Sequence, residues 1–387
     1  MDLLHLSNPA LYTLLGVAGR GQHRTTRAVT TDATDGSLRA IRKVKVLDRK
    51  HCALFVLRGE YRPPGAGQRH VPVTFMTFSS YTLHSGGSTA LQGLWHVKDK
   101  DVPSGARVFP PILRQYLSMQ ADVVRVLEEV ALRGDILVLA GSSGGCGLCQ
   151  MVLAHLYLAK DHPPFRRLHA SALLVGGARM FTEALARPLD AAPRLQVLRV
   201  QTRNDPVPDQ PAVPFRHLGR VLHVEKGEGG VLCPANRDLA LPGGATKSLQ
   251  LAVGFVLPGL ALACCLTGHL VSGLIVVLIT AALFGVMMGH HQMYHVHFPR
   301  AARGEAWAGR IRMTEVTSQE LQGTPWCSNG DSPLLMVGVG AVLCVAGLTL
   351  WAGQQVPWAA CSMAIAGCLL LGGGGSDWIV ANSTAAA

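Results

Sequence analysis

The chain has 387 residues, of which 49% are hydrophobic and only 15% are charged, and its mean hydropathy is +0.27. This apolar content excludes an intrinsically disordered chain and is unusual for a soluble enzyme of this size. Residues 1–248 hold 31 Lys and Arg against 19 Asp and Glu, whereas residues 249–387 hold 4 against 5. A basic front part before an almost uncharged remainder favours a domain that faces anionic lipid headgroups over a nucleic-acid-binding protein.

The first 248 residues predict an α/β fold. Residues 1–37 form an N-terminal segment with one short predicted helix, Pro9–Val17. Two apolar strands follow, Ala40–Leu47 and Cys52–Leu57, and strands then alternate with segments of helical periodicity. We therefore predict that residues 38–248 form a mostly parallel sheet with helices on both faces.

A candidate nucleophile lies in the middle of this domain. The helical pattern Pro111–Leu132 is followed by a buried strand, Asp135–Ala140, and then by Gly141-Ser142-Ser143-Gly144-Gly145 and the helix Cys146–Lys160. Strand, G-x-S-x-G and helix in this order are typical of a nucleophile elbow, where flanking glycines make room for a sharp turn. The pattern predicts that Ser143 projects at the N-terminus of the helix.

A candidate acid follows a later strand. Two more strands are predicted at Leu168–Val175 and Leu195–Gln201, and Asp205 comes just after the second. In this architecture, an acid at the carboxyl end of a later strand orients the catalytic histidine. The alternative is that Asp205 only caps the turn before Pro206, as Asp often does.

The chain also resembles a known family, the class 3 or fungal-type lipases, over roughly residues 38–225. The resemblance lies in the order and spacing of four short motifs, each of which is weak by itself. They are Phe55-Val-Leu-Arg58-Gly59, Gly141-Ser-Ser143-Gly-Gly145, Gly176-Gly-Ala178-Arg179, and Asn204-Asp205-Pro-Val-Pro208 followed by Phe215-Arg-His217-Leu-Gly219.

The resemblance implies an α/β-hydrolase fold and a serine hydrolase that needs no cofactor or metal. It assigns Ser143 as the nucleophile, Asp205 as the acid of the triad and the backbone N–H of Gly144 as one donor to the oxyanion. Glu60 stands where the family has a Ser or Thr that supplies the second donor. This departure leaves open a catalytically inactive, lipase-like scaffold or lipid-binding protein.

The sequence offers two candidates for the histidine of the triad. The family's catalytic histidine lies in an Asp-His-x-x-Tyr context, which is similar to His290-His291-Gln-Met-Tyr294. We therefore predict His291 as the base, with His217 as the alternative, although the resemblance gives His217 a structural place. The same run, with His295 and His297, also resembles part of the histidine box of membrane di-iron enzymes, but such enzymes need further boxes.

The C-terminal part predicts two membrane hairpins. Leu251–Gly289 contains no charged residue over 39 positions, too long for a single helix across a bilayer core of roughly 30 Å, so a break near Gly268 gives two spans. Residues 334–375 repeat this pattern. The loop between the hairpins holds four arginines and is therefore predicted to be cytoplasmic, together with the front domain. The predicted segments are 1–37, 38–248, 249–289, 290–333, 334–375 and a tail, 376–387.

Together these patterns predict a multi-pass membrane protein whose cytoplasmic domain is a serine hydrolase of lipid carboxylic esters. Its partners are expected to be the lipid ester and the bilayer, with no nucleic acid. Because the domain is predicted to face the cytoplasm, we expect its cysteines to be reduced. The one C-x-x-C, Cys146–Cys149, lacks the second pair of a zinc site. Tyr61–Pro110, rich in Gly, Pro and Ser, is either a lid over the site or a plain connecting loop.

Overall fold

This computed structural model is built around a large β-sheet. The structure describes residues 1–3, 6–20, 32–33, 35–49, 51–80, 89–202, 205, 207–209, 215–225, 229–233, 257, 274, 276–278 and 311–315. The chain divides into two compact units, residues 1–239 with 291–317 and residues 240–290 with 318–387. Every helix and strand named below belongs to the first unit.

Nine strands in the described part of the chain form the main sheet, in the order β1-β2-β3-β6-β7-β9-β11-β12-β13. Their bounds are Leu38–Asp48 (β1), Cys52–Tyr61 (β2), Val71–Ser80 (β3), Ile136–Ser142 (β6), Ala170–Val175 (β7), Leu195–Gln201 (β9), Arg220–Glu225 (β11), Gly229–Cys233 (β12) and Ile311–Glu315 (β13). A small second sheet contains Thr89–Ala90 (β4), Arg107–Val108 (β5), Phe181–Thr182 (β8) and Phe215–Arg216 (β10). The helices are Asn8–Arg20 (α1), Pro110–Arg133 (α2), Gly144–Leu158 (α3), Pro163–Arg166 (α4) and Glu183–Asp190 (α5).

The centre of the main sheet is parallel, as the alternating sequence pattern predicts. Strands β3, β6, β7, β9 and β11 run in one direction, whereas β2 lies between β1 and β3 and pairs antiparallel with both. At the other edge, β12 runs antiparallel to β11 and β13 runs parallel to β12. The carboxyl ends of the five parallel strands therefore lie along one edge of the sheet.

Both faces of the sheet are buried along its central strands, which explains why these strands are apolar almost throughout. Successive side chains of a strand point to opposite faces. In β2, Leu54 and Val56 join the core beneath α2 and α3, while Phe55 and Leu57 join the core beneath α1. The prediction of helices on both faces is thus confirmed.

Several local predictions agree with the structure. The helix predicted at Pro111–Leu132 is α2, and Gly134 ends it in the left-handed region with φ of 69°, donating its N–H to the carbonyl of Val130. The strand predicted at Leu195–Gln201 has the same bounds as β9. The lid or connecting loop predicted at Tyr61–Pro110 is wrong in its middle part, because Val71–Ser80 forms β3 inside the sheet.

No helix in the described part of the chain is long and apolar enough to cross a bilayer. The predicted hairpins, residues 249–289 and 334–375, lie outside the described residues except for five positions between 257 and 278. They stay a prediction.

A buried hydrogen-bonded relay joins α2, α3 and the segment between β4 and β5. His155 is fully buried and lies 2.6 Å from the hydroxyl of Tyr116 through Nδ1 and 2.6 Å from the carbonyl of Trp95 through Nε2. Because a carbonyl can only accept, Nε2 carries the proton and Nδ1 accepts from Tyr116. Burial lowers the pKa of His155 to about 4, so the imidazole is neutral in the folded protein at neutral pH.

This relay predicts an acid-sensitive contribution to stability. Below its unfolded pKa of about 6.5, His155 takes up a proton in the unfolded chain but not in the folded protein until about pH 4. Stability should therefore fall as the pH drops from about 6.5 to 4, by an amount on the order of 3 kcal/mol for this group. Urea unfolding of the wild type and of His155→Gln at pH 7 and pH 4.5 measures the contribution.

We expect His155→Gln to remove this part of the pH dependence, and the exposed control His169→Gln to keep it. An unchanged pH dependence in His155→Gln would show that the relay does not hold a neutral imidazole.

Candidate active site

The turn between β6 and α3 holds Ser143 in a strained backbone conformation. Ser143 has φ of 53° and ψ of −126°, and it is one of three non-glycine residues with positive φ in the described part of the chain. Its N–H donates to the carbonyl of Val175 at 2.9 Å, and its own carbonyl accepts from the N–H of Cys146 at 3.0 Å. Such strain costs on the order of 1–3 kcal/mol and is concentrated at functional sites. The sharp turn predicted between the strand and the helix at Ser143 is therefore present in the backbone.

The glycines around Ser143 are required by close packing. A Cβ on Gly141 would lie 2.7 Å from the carbonyl carbon of Gly145, so the two glycines press their backbones together across the turn. A Cβ on Gly144 would lie 2.8 Å from the Cβ and 2.9 Å from the Oγ of Ser80. The turn can thus be made only with small residues on both sides of Ser143.

The buried thiol of Cys146 supports this turn, and neither it nor the buried thiol of Cys149 is a good candidate for chemistry. The Sγ of Cys146 donates to the carbonyls of Gly141 at 3.1 Å and Val175 at 3.3 Å. Burial raises the pKa of Cys146, and it also raises the pKa of Cys149, well above that of an ordinary thiol. Both cysteines are free and buried, so they stay protonated rather than acting as nucleophiles or metal ligands.

Asp205 lies at the same edge of the sheet as Ser143. Ser143 follows β6 and Asp205 follows β9, with β7 between them, so two strand spacings or about 10 Å separate the strand ends. Asp205 is buried and its Oδ1 accepts the N–H of Val207 at 2.9 Å, the turn-capping contact that the sequence left open. The charge of Asp205 also contributes to raising the pKa of Cys146, beneath the elbow. The carboxylate is therefore near the elbow as well as in a turn.

The strand register does not bring Glu60 to Ser143. Glu60 pairs with Pro72 near the start of β3, whereas Ser80 at the end of β3 is next to the elbow. Eight residues of strand separate Pro72 from Ser80, or roughly 26 Å. Half-exposed Glu60 instead forms an ion pair with Arg39 at 2.9 Å. The prediction that Glu60 lies at the oxyanion position is therefore wrong, because the antiparallel pairing of β2 with β3 places Glu60 at the opposite edge of the sheet.

Ser80 lies next to Gly144 at the elbow, and the sequence analysis missed it. Its side chain packs against Gly144, and its Oγ donates to Oε1 of Gln115 at 2.6 Å. Gln115 is itself buried on α2, so its hydrogen bond fixes the position of the Ser80 side chain. The sequence does show a Ser at the end of β3, but its closeness to the elbow can be recognised only when β3 is known to lie beside β6.

His217, the alternative base, lies among positive groups. The pKa of His217 lies well below its usual range. Burial is the largest cause, followed by the charges of Arg199 and Arg179, whereas a hydrogen bond to the carbonyl of Pro208 opposes the shift. A general base must be stable as an imidazolium during the reaction. Two neighbouring guanidinium groups destabilise that state, so this environment does not suit a catalytic base.

His291, the predicted base, lies outside the described residues, as do His290, His295 and His297 of the suggested histidine box. The nearest described strand along the chain is β13, which begins at Ile311, 20 residues after His291. Because β13 is parallel to β12 and antiparallel to β11, it begins at the edge where the parallel strands end. The chain thus enters β13 from the edge that carries Ser143 and Asp205.

Comparison with known proteins adds a set of structural neighbours. No family model and no curated protein matches this sequence. Solved structures that match include a triacylglycerol lipase from Penicillium expansum (18% identity, 60% of this chain and 85% of that chain, TM-score 0.45) and a lipase from Rhizopus microsporus var. chinensis (18%, 59% and 78%, TM-score 0.45). A Yarrowia lipolytica lipase matches at 9% identity over 57% of this chain and 80% of that chain, with a TM-score of 0.43. The chain resembles fungal class 3 lipases.

Proposed function

We propose that this protein is a serine hydrolase that cleaves carboxylic esters of lipids. The observation that carries the proposal is the strained turn at Ser143, with Gly141 packed on Gly145 beneath it. This geometry lifts a serine side chain from the carboxyl edge of a parallel sheet to the N-terminus of a helix. A fold that only needed a turn here could use glycine at 143 and avoid the strain.

In the proposed reaction, the Oγ of Ser143 attacks the ester carbonyl and an imidazole accepts its proton. The same imidazole then protonates the leaving alcohol, and a water molecule releases the fatty acid from the acyl-enzyme. Asp205 would hold the imidazole in the correct tautomer. Its burial supports this role, since a carboxylate shielded from water stabilises an imidazolium more strongly than an exposed one.

We assign the oxyanion donors to Gly144 and Ser80. The N–H of Gly144 belongs to the first residue of α3, where the helix dipole favours negative charge. The Ser80 side chain touches Gly144, so a substrate oxygen over the N–H of Gly144 would be near Ser80 as well. With the Gln115 amide reversed, its NH₂ group would donate to Ser80 Oγ and free the hydroxyl proton for the oxyanion.

We assign the base to His291. The entry of β13 from the edge of Ser143 and Asp205 supports this choice, and so do the guanidinium groups beside His217. The scaffold alternative depended on Glu60 and on the altered sequence of the elbow. Glu60 lies at the opposite edge of the sheet, away from the proposed oxyanion donors.

The lipid part of the proposal rests on the charge pattern of the chain. The basic front region suits an anionic membrane surface, and two apolar hairpins would anchor the enzyme where lipid esters are concentrated. On this proposal the protein is multi-pass and its α/β domain lies on the cytoplasmic side.

The triad assignment predicts a large loss of activity for three substitutions. Ser143→Ala, Asp205→Asn and His291→Ala in the full-length protein should each lower kcat for a medium-chain acylglycerol by about 10³-fold or more, because each removes part of the proton transfer. Ser142→Ala, at the neighbouring buried serine, is the matched control and should keep most of the activity. Release of fatty acid from mixed micelles measures the rates.

Substitution of each histidine in turn distinguishes the two possible bases, His291 and His217. We expect His217→Ala to affect stability more than kcat. A 10³-fold loss in His217→Ala with normal folding and normal kcat in His291→Ala would reverse the assignment, and normal hydrolysis by Ser143→Ala would refute the proposal.

The oxyanion assignment predicts opposite results for two adjacent serines. Ser80→Ala should lower kcat by about 10²-fold with little change in KM, since one transition-state donor is lost. Ser79→Ala should leave kcat unchanged. The Ser79 hydroxyl is buried without a hydrogen-bond partner, and it points to the opposite face of the strand from Ser80. Glu60→Gln should also leave kcat unchanged, whereas a large loss in Glu60→Gln would favour the original assignment.

A further inference from the structure

A second cluster of chemically active side chains joins three separate segments of the domain. His96 lies on a turn between β4 and β5, Glu128 lies on α2, and His162 immediately precedes α4. One ligand atom from each side chain lies within 4.8 Å of the other two. Nε2 of His162 is 3.0 Å from Oε1 of Glu128, and the rings of His96 and His162 are stacked with centroids 3.9 Å apart. Two imidazoles and one carboxylate thus converge outside the site of Ser143.

The backbone at His96 is strained to place its ring there. His96 has φ of 62°, and the turn is closed by the N–H of Val97, which donates to the carbonyl of Leu94 at 3.4 Å. The third position of a turn with positive φ strongly favours glycine, or otherwise asparagine. A histidine there is held at a cost in conformational energy, which is an observation that points to a function for its side chain.

The surroundings hold the rings of this cluster in position. Phe165 is fully buried and meets the His162 ring edge-on, with centroids 4.7 Å apart, and the His96 ring at 6.4 Å. The residue before His96 is fixed by the His155 relay, through the carbonyl of Trp95. Lys98 and Asp161 pair at 3.4 Å and hold the same two segments together. The cluster is therefore supported by neighbours, as metal ligands generally are.

We propose that His96, Glu128 and His162 bind one zinc ion, with water at the fourth position. Two histidines and a glutamate form a recognised three-ligand zinc set, and the negative carboxylate suits a divalent cation. Atoms bound to one tetrahedral zinc ion at roughly 2.1 Å are about 3.4 Å apart. Closing the cluster thus requires a movement of up to about 1.4 Å and a rotation of one imidazole out of the stacked arrangement, which the exposed side chain of His96 has room to make.

This site would fix the segment between β4 and β5 to α2 and to the start of α4. The cluster contains no residue of the proposed triad, so the ion would act apart from the proposed hydrolysis. Zinc would link segments that the sequence separates by 32 and 34 residues, and binding to the folded state alone would raise its stability.

The test uses the full-length protein without a histidine tag, stripped with chelator, equilibrated with zinc chloride and desalted. Zinc content per chain should be about one equivalent higher in the wild type than in His96→Gly and His162→Ala, and Glu128→Gln should bind zinc at least about tenfold more weakly. The controls are exposed His169→Ala and, for the separate histidine-rich run, His291→Ala, both of which should keep this equivalent.

His96→Gly distinguishes a lost ligand from a damaged fold. Because glycine relieves the strain of the turn, this variant without metal should unfold at the same temperature as the wild type or higher. Zinc should raise the unfolding temperature of the wild type and not that of His96→Gly. Equal zinc content in the wild type, His96→Gly and His162→Ala, or an equal zinc effect on their unfolding temperatures, would overturn the proposal.

Discussion

The candidate site depends on a steric constraint at the end of β6. Ser142 is still paired with Val175 in the sheet, yet the next residue must turn into α3 with almost no space between Gly141 and Gly145. The chain meets this constraint by giving Ser143 a positive φ. The sheet before it and the helix after it offset the conformational energy of this strained residue. The serine is consequently fixed by the backbone rather than by its own side-chain contacts.

The same constraint determines what lies around the serine. Gly144 must be small because the end of β3 packs against it, and this contact brings Ser80 into the site. The parallel direction of β6, β7 and β9 brings Asp205 to the same edge, with one strand between. Cys146 is used as a support for the turn, where its thiol bonds to two backbone carbonyls. Strand order and direction thus assemble a site from segments far apart in sequence.

The sequence predicted those parts that depend on local pattern. The helix α2 and its glycine stop, the strand β9 and the strand–turn–helix at Ser143 all follow from periodicity and from the special conformations of glycine. Glu60 was misplaced because the motif around Arg58-Gly59 resembles a family motif, while the antiparallel pairing of β2 with β3 cannot be read from a motif. Ser80 was missed for the same reason, since its closeness to Gly144 is a property of strand order.

The cluster of His96, Glu128 and His162 could not be found in the sequence either, because its members follow no metal-binding spacing. The sequence analysis predicted no metal, and only the fold reveals the convergence of the three segments. For the proposed hydrolase, the most direct measurement is labelling of the full-length protein with a fluorophosphonate, with the modified peptide located by mass spectrometry. The account predicts one phosphonylated residue, Ser143, and no labelling after heat denaturation, because the reactivity requires the folded turn. No labelling of the folded protein, or labelling at another serine, would contradict it.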